Sequence, residues 1–128
     1  MTIAIYLTLE EILVIHQDQI DRYGGSHGLR DLTLLESAAY RPQTTFGNEE
    51  LYPSLFNKAA SLMHSIILNH PFLEGNKRTG MVGGIVFLEK NSLSLEVSQK
   101  ELVMVALKIA TKEWDIKAIA EWMQDNSK

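Results

Sequence analysis

Apolar positions recur at helical spacing in six blocks along this chain, and most of the blocks open on a residue able to cap a helix. In the first, Leu9, Ile12, Leu13, His16, Ile20 and Tyr23 share one face. Thr8-Leu9-Glu10-Glu11 matches a capping box before it, and Gly24-Gly25 supplies the stop. The β-prone run Ile3 to Leu7 predicts a short extended segment ahead of this helix. Asp31 is the expected cap of a second helix carrying Leu34, Leu35, Ala38 and Ala39, which Arg41-Pro42 should end because proline disfavours α geometry in the residue before it. Gln43 to Pro53 has no helical period and predicts a loop or small hairpin.

Ser54 should cap a third helix running to Asn69. Its Leu55, Phe56, Ala59, Ala60, Leu62, Met63, Ile66, Ile67 and Leu68 occupy most of the circumference, the mark of a helix buried on nearly all sides. A fourth, from about 76 to 90, is equally apolar in Met81, Val82, Ile85, Val86, Phe87 and Leu88. Gly80, Gly83 and Gly84 each cost it ~1 kcal/mol of helix propensity relative to Ala, which predicts close approach of a neighbour. Ser98-Gln99-Lys100-Glu101 reads as a second capping box opening a helix to about Thr111. Asp115 should cap a last one with Ile116, Ile119, Ala120, Trp122 and Met123, and the tail from Asp125 is expected to fray. The pattern predicts an all-α fold: a compact six-helix domain over residues 1–128, with two central buried helices flanking one polar loop.

At 128 residues and 45% hydrophobic, the chain can bury one core without help. It has no cysteine, so no disulfide is available, as is compatible with a reducing cytosol. A formal charge of −4 gives no electrostatic reason to hold nucleic acid. No basic segment precedes the first apolar residues, and the longest uncharged apolar stretch, Gly80 to Leu88, is far shorter than the ~20 residues of a membrane span. The expectation is a cytoplasmic protein with no membrane or direct nucleic-acid partner.

One loop departs from this bland profile. Between the two central helices, His70, Glu74, Asn76, Lys77 and Arg78 fall within nine residues, His70-Pro71-Phe72-Leu73-Glu74-Gly75-Asn76-Lys77-Arg78. Burying unpaired charges is costly, so such a loop must face a cleft or neutralise itself. Gly75 to Arg78 lie where the fourth helix begins, and a helix N-terminus offers open N–H groups and partial positive charge to an anion. Arg78 adds a fork suited to phosphate oxygens and Lys77 a compact cation. Glu74 is the kind of carboxylate that a nucleotide-bound Mg²⁺ takes alongside phosphate oxygens. His70 brings an imidazole, a group that accepts protons near neutral pH. Phe72 is the expected anchor of the turn, and Pro71 stiffens it.

This string resembles the signature of the Fic/Doc family, H-x-F-x-[D/E]-G-N between two central helices. Tyr23-Gly24-Gly25, Gly28-Leu29-Arg30-Asp31 and Leu35-Glu36-Ser37-Ala38 resemble the N-terminal part of its death-on-curing (Doc) branch. The resemblance implies His70 as catalytic base, Glu74 as metal ligand, Gly75, Asn76, Lys77 and Arg78 as the phosphate-binding turn, and Phe72 as loop anchor. AMP-transferring members carry glycine where Lys77 stands, and their second arginine falls at Val82; both departures resemble the Doc branch, whose members pass on the γ-phosphate. The implied function is a toxin that uses ATP and Mg²⁺ to phosphorylate a translation factor, with elongation factor Tu as the expected substrate. It would be restrained by a Phd-type antitoxin, since the self-inhibitory [S/T]-x-x-x-E-[G/N] string is absent. Phe46 and Tyr52, in the Gln43–Pro53 segment, would form the flap that lines up the target.

Plainer readings stand beside these. The loop could be an αα-hairpin turn with a Gly-Asn cap, and the flap a mere surface connection. AMP transfer and an idle helical binding module are the alternatives to a kinase. His64, His70 and Glu74 are zinc-compatible in type, but neither H-E-x-x-H nor cysteine accompanies them. His16, on an apolar face, reads as a satisfied core histidine, and Trp114 and Trp122 as packing or antitoxin-groove residues.

Overall fold

A computed structural model describes residues 3–128. Its regular elements are α1 (Leu9–Tyr23), α2 (Leu32–Tyr40), β1 (Thr45–Phe46), β2 (Glu49–Glu50), α3 (Leu55–Asn69), α4 (Asn76–Lys90), α5 (Gln99–Ala110) and α6 (Ile116–Asp125), with a 3-10 turn at Arg41–Gln43 after α2. The caps are those expected: Thr8 and Glu11 close a reciprocal box on α1, while Asp31, Ser54, Ser98 and Asp115 each accept a backbone N–H of the helix they open. The Gln43–Pro53 segment contains an antiparallel hairpin, Phe46 opposite Glu49, turning at Gly47.

The two central helices are α3, which packs against α2, α4, α5 and α6, and α4, which also meets α1 and α5. Met63, Ile66 and Ile67 of α3 meet Met81, Phe87 and Leu88 of α4 in one core that continues into Ile109, Ile119 and Met123. Gly80 sets their spacing: a β-carbon there would lie 2.6 Å from Ile67 Cγ1 and 3.1 Å from the Met63 carbonyl oxygen. At Gly84 a β-carbon would crowd only the flexible methyl ends of Met63 and Met123, and Gly83 has room for a methyl, so close helix approach strictly requires Gly80 alone. Among the described residues, no helix is long and apolar enough to cross a membrane.

Three expectations need correction. The buried stripe of α1 is Ile12, His16, Gln19 and Ile20; Leu13 and Tyr23 lie exposed, because the stripe drifts round the helix toward Gln19. The second capping box is half made: Ser98 accepts from Glu101 N, but the Glu101 carboxylate accepts instead from Trp122 Nε1 at 2.7 Å, tying α5 to α6. The tail does not fray. Ser94 and Lys128 exchange backbone hydrogen bonds and Glu96 N donates to the Asn126 carbonyl, which satisfies groups a free end would leave to water. The Ile3 to Leu7 segment pairs with no strand among the described residues; Ile5 is held at both its N–H and carbonyl by the Asn91 side chain.

Candidate functional site

The turn between α3 and α4 is clamped from three directions. α3 ends where His70 enters the left-handed region (φ 51°, ψ 57°), an uncommon state for a residue with a β-carbon. Arg30 braces this end: its Nε donates to the His70 carbonyl at 2.6 Å and its Nη2 to the Asn69 carbonyl at 2.8 Å. Beside it, the N–H groups of Arg30 and Asp31 both donate to the Pro71 carbonyl, and Leu73 N donates to the Gly28 carbonyl. The segment Gly28 to Asp31 therefore lies against the loop like a short strand.

The second clamp is internal. The Asn76 amide accepts from Phe72 N at 3.0 Å and donates to the Phe72 carbonyl at 2.9 Å. Asn76 is buried and both ends of its side chain bond the loop, so the side chain acts as a clasp, while its main-chain N–H stands in the first turn of α4. The third clamp comes from α1. The Phe72 ring, 1% exposed, stacks on the His16 ring with centroids 3.8 Å apart and planes 5° from parallel. His16 Nε2 bonds the Glu74 carbonyl at 2.8 Å; a carbonyl can only accept, so the proton sits on Nε2.

On this frame His70, Glu74 and Lys77 face solvent. Ser26 Oγ donates to Glu74 Oε1 at 3.0 Å. Gly75 (φ 82°) caps α4 without a side chain, which leaves the amides of Asn76, Lys77 and Arg78 as first-turn donors with no intrahelical acceptor. Arg78 is half-buried and bridges to α1, its Nη1 and Nη2 donating to the Gln19 and Gly24 carbonyls at 3.1 and 2.9 Å. It thus ties the head of α4 to the end of α1, keeping only its remaining N–H groups for a ligand. The arrangement can bind an anion at the helix head, hold a hard cation on one carboxylate, and move a proton at His70. A zinc cage is not formed: among the described residues no three His, Asp or Glu side chains converge.

The two flap candidates separate. Phe46 is 85% exposed at the hairpin tip. Tyr52 is buried, its hydroxyl accepting from Arg41 Nε at 3.0 Å, and its carbonyl accepts from Lys58 Nζ. Lys58, itself buried on α3, also pairs with Glu50 of β2 at 2.9 Å. Tyr52 is therefore corrected from a target contact to part of the hairpin's foundation. Trp122 packs at the core's edge, its ring 6.2 Å from that of Trp114. A groove of about 290 Å³ runs from Lys77 and Arg78 between α1, α4 and α5, lined by Tyr23, Met81, Val82, Ile85 and Val103 among others.

The roles of Arg30, Ser26 and the His16 hydrogen bond are not legible in the sequence: Arg30 stands in the Gly28-Leu29-Arg30-Asp31 string, whose spacing does not point to a loop 40 positions further on, and Ser26 and His16 carry no such signal.

Burial holds His16 below the ordinary imidazole pKa, partly offset by its bond to the Glu74 carbonyl; burial and then the Arg41 charge do the same for His64. Both therefore favour the neutral form when folded, whereas an unfolded imidazole takes up a proton near pH ~6.5. The unfolded chain binds more protons below that value, so this stability is full above about pH 6.5 and is lost as the pH falls toward the folded values. Urea midpoints should be lower at about pH 5.5 than at about pH 7.5, with the gap narrowed in His16→Gln. Equal midpoints would contradict the assignment.

A model of the Fic/DOC family matches residues 6–88. The chain is 35% identical over 119 residues to "Toxin Doc" of Mycolicibacterium smegmatis, covering 90% of this chain and 88% of that protein. It is 28% identical over 119 residues to "Protein kinase doc" of Escherichia phage P1, covering 93% of each.

Proposed function

The chain belongs to the Fic/Doc family, and from that premise we propose that it is the toxin of a toxin–antitoxin pair, a protein kinase that moves the γ-phosphate of ATP to a Ser or Thr hydroxyl of a translation factor, elongation factor Tu first among them. The observation that carries this reading is one clamped turn that bears exposed His70, Glu74 and Lys77 and leads into the open amides at the head of α4. The names of the two relatives, one a toxin and one a protein kinase, support it.

In this reading the amides of Asn76, Lys77 and Arg78, the Lys77 ammonium and the free N–H groups of Arg78 receive phosphate oxygens. His70 accepts the proton of the target hydroxyl. The hydroxyl oxygen bonds to the γ-phosphorus as the bond to the β–γ bridging oxygen breaks, and ADP departs. Glu74 is a single exposed carboxylate, which fits Mg²⁺, a cation that keeps several waters and shares phosphate oxygens. When bound, Mg²⁺ supplies neutralisation of phosphate charge. Ser26, by donating to one Glu74 oxygen, limits the rotamers of that carboxylate. Phe46 at the hairpin tip is available to the target segment, and the groove beside Lys77 suits an apolar helical tail of a Phd-type antitoxin. ATP and the translation machinery place the activity in the cytoplasm.

AMP transfer by the same turn is the competing reading, and Lys77 argues against it, because its side chain fills the position at which AMP-transferring members carry glycine. Incubation of the protein with elongation factor Tu and labelled ATP separates the two. Label is expected from γ-labelled and not from α-labelled nucleotide; the reverse would establish AMP transfer, and no label from either would leave a binding module.

A further inference from the structure

A histidine packed in a core needs only a partner for its N–H and apolar neighbours for its ring. His16 has more than that. It lies on α1, 58 positions from Glu74, yet its Nε2–H ends on the carbonyl of the residue whose carboxylate stands at the head of α4. Its ring lies flat on Phe72, and Phe72 is clasped by Asn76, the first residue of α4. Behind Gly75, His16 Cδ2 and Ile20 Cδ1 lie 3.6 and 3.0 Å from where a β-carbon would stand. The Glu74 carbonyl belongs to the peptide that joins the carboxylate residue to Gly75, the cap of α4, so the His16 bond restrains the backbone torsions that set the Glu74 side chain relative to the head of α4.

We propose that His16 is a positioning residue for phosphoryl transfer, holding the Glu74 carboxylate in register with the head of α4 through the Glu74 carbonyl and with His70 through Phe72. This rests on the kinase reading above. It differs from a packing role because the Nε2 bond, rather than ring volume, sets where the cation-binding carboxylate stands.

The test compares wild type, His16→Phe and His16→Gln. Phenylalanine keeps a ring against Phe72 and removes the donor; glutamine places an amide N–H near the Nε2 position. His16→Phe should raise the Mg²⁺ concentration for half-maximal transfer by about tenfold, in line with the loss of groups that orient metal ligands, and lower kcat, while His16→Gln restores most of the Mg²⁺ dependence. An unchanged Mg²⁺ requirement in folded His16→Phe overturns the proposal, since packing damage lowers the active fraction without moving that requirement. Should His16→Phe fail to fold, imidazole ¹H–¹⁵N spectra of the wild type decide: a slowly exchanging Nε2–H with a bare Nδ1 supports the bond, and a rapidly exchanging proton or the other tautomer overturns it. If the wild type transfers no phosphate, the kinase reading fails by itself, and the same spectra still judge the bond.

Discussion

His70→Ala is expected to lower phosphoryl transfer by about three orders of magnitude, within the range of ~10²–10⁴ typical for loss of a general base, while lowering the thermal midpoint of the protein by no more than a few degrees. The two halves of this expectation have separate origins. His70 is exposed, and in the clamped turn only its carbonyl is engaged, by Arg30. Truncating the imidazole therefore removes the proton acceptor but none of the hydrogen bonds that shape the loop. His70 is the left-handed C-cap of α3, a conformation less favoured by alanine than by histidine, so the stability cost should be small, under about 1 kcal/mol. Toxicity on expression should vanish together with transfer, and antitoxin binding should persist. Growth inhibition that survives His70→Ala would point to the idle binding module.

Phe72→Ala should show the opposite pattern, a large loss of stability that takes activity with it. The ring is 1% exposed and belongs to the main core, and burial on that scale makes truncation of a phenylalanine cost about 3–5 kcal/mol. Its stack on His16 adds a directional contact that alanine cannot replace. Native domains have only about 5–15 kcal/mol in total, so the variant should unfold at much lower urea and be poorly ordered in the turn even when folded. Denaturation by urea, with the slope compared to wild type, measures this. A loss under about 1 kcal/mol would show that the turn is held mainly by its hydrogen bonds, with Phe72 incidental.

The contrast between these two residues, two positions apart, shows what the chain makes legible. The helices were readable because their caps and apolar stripes are local: Ser54 with the run to Asn69, or Thr8 with Glu11, can be recognised from a few neighbouring residues. The position of the loop was readable for the same reason, as a polar string between two apolar helices. Contacts across long separations were not. Glu101 has the right spacing to close a box with Ser98, but Trp122, 21 residues away, offers its carboxylate a donor from a partly buried indole. Tyr52 sits in a polar, aperiodic segment that reads as surface, yet Arg41 and Lys58 draw it inward. Asn76 and Arg78 have the chemistry of anion ligands, yet the Asn76 side chain is engaged by Phe72 and two of the Arg78 N–H groups are engaged by the carbonyls of Gln19 and Gly24. Residue type names the chemistry that is possible, and only the packing shows which groups remain free.

In the proposed function, the backbone at the head of α4, with Lys77, is then the principal anion site of the turn. Titration of ATP with Mg²⁺ into ¹⁵N-labelled protein tests this most directly. The amide signals of Asn76, Lys77 and Arg78 should move most, joined by His70 and weakened in Lys77→Ala. Shifts confined to the groove residues Val82, Ile85 and Val103, with the three amides unmoved, would contradict it.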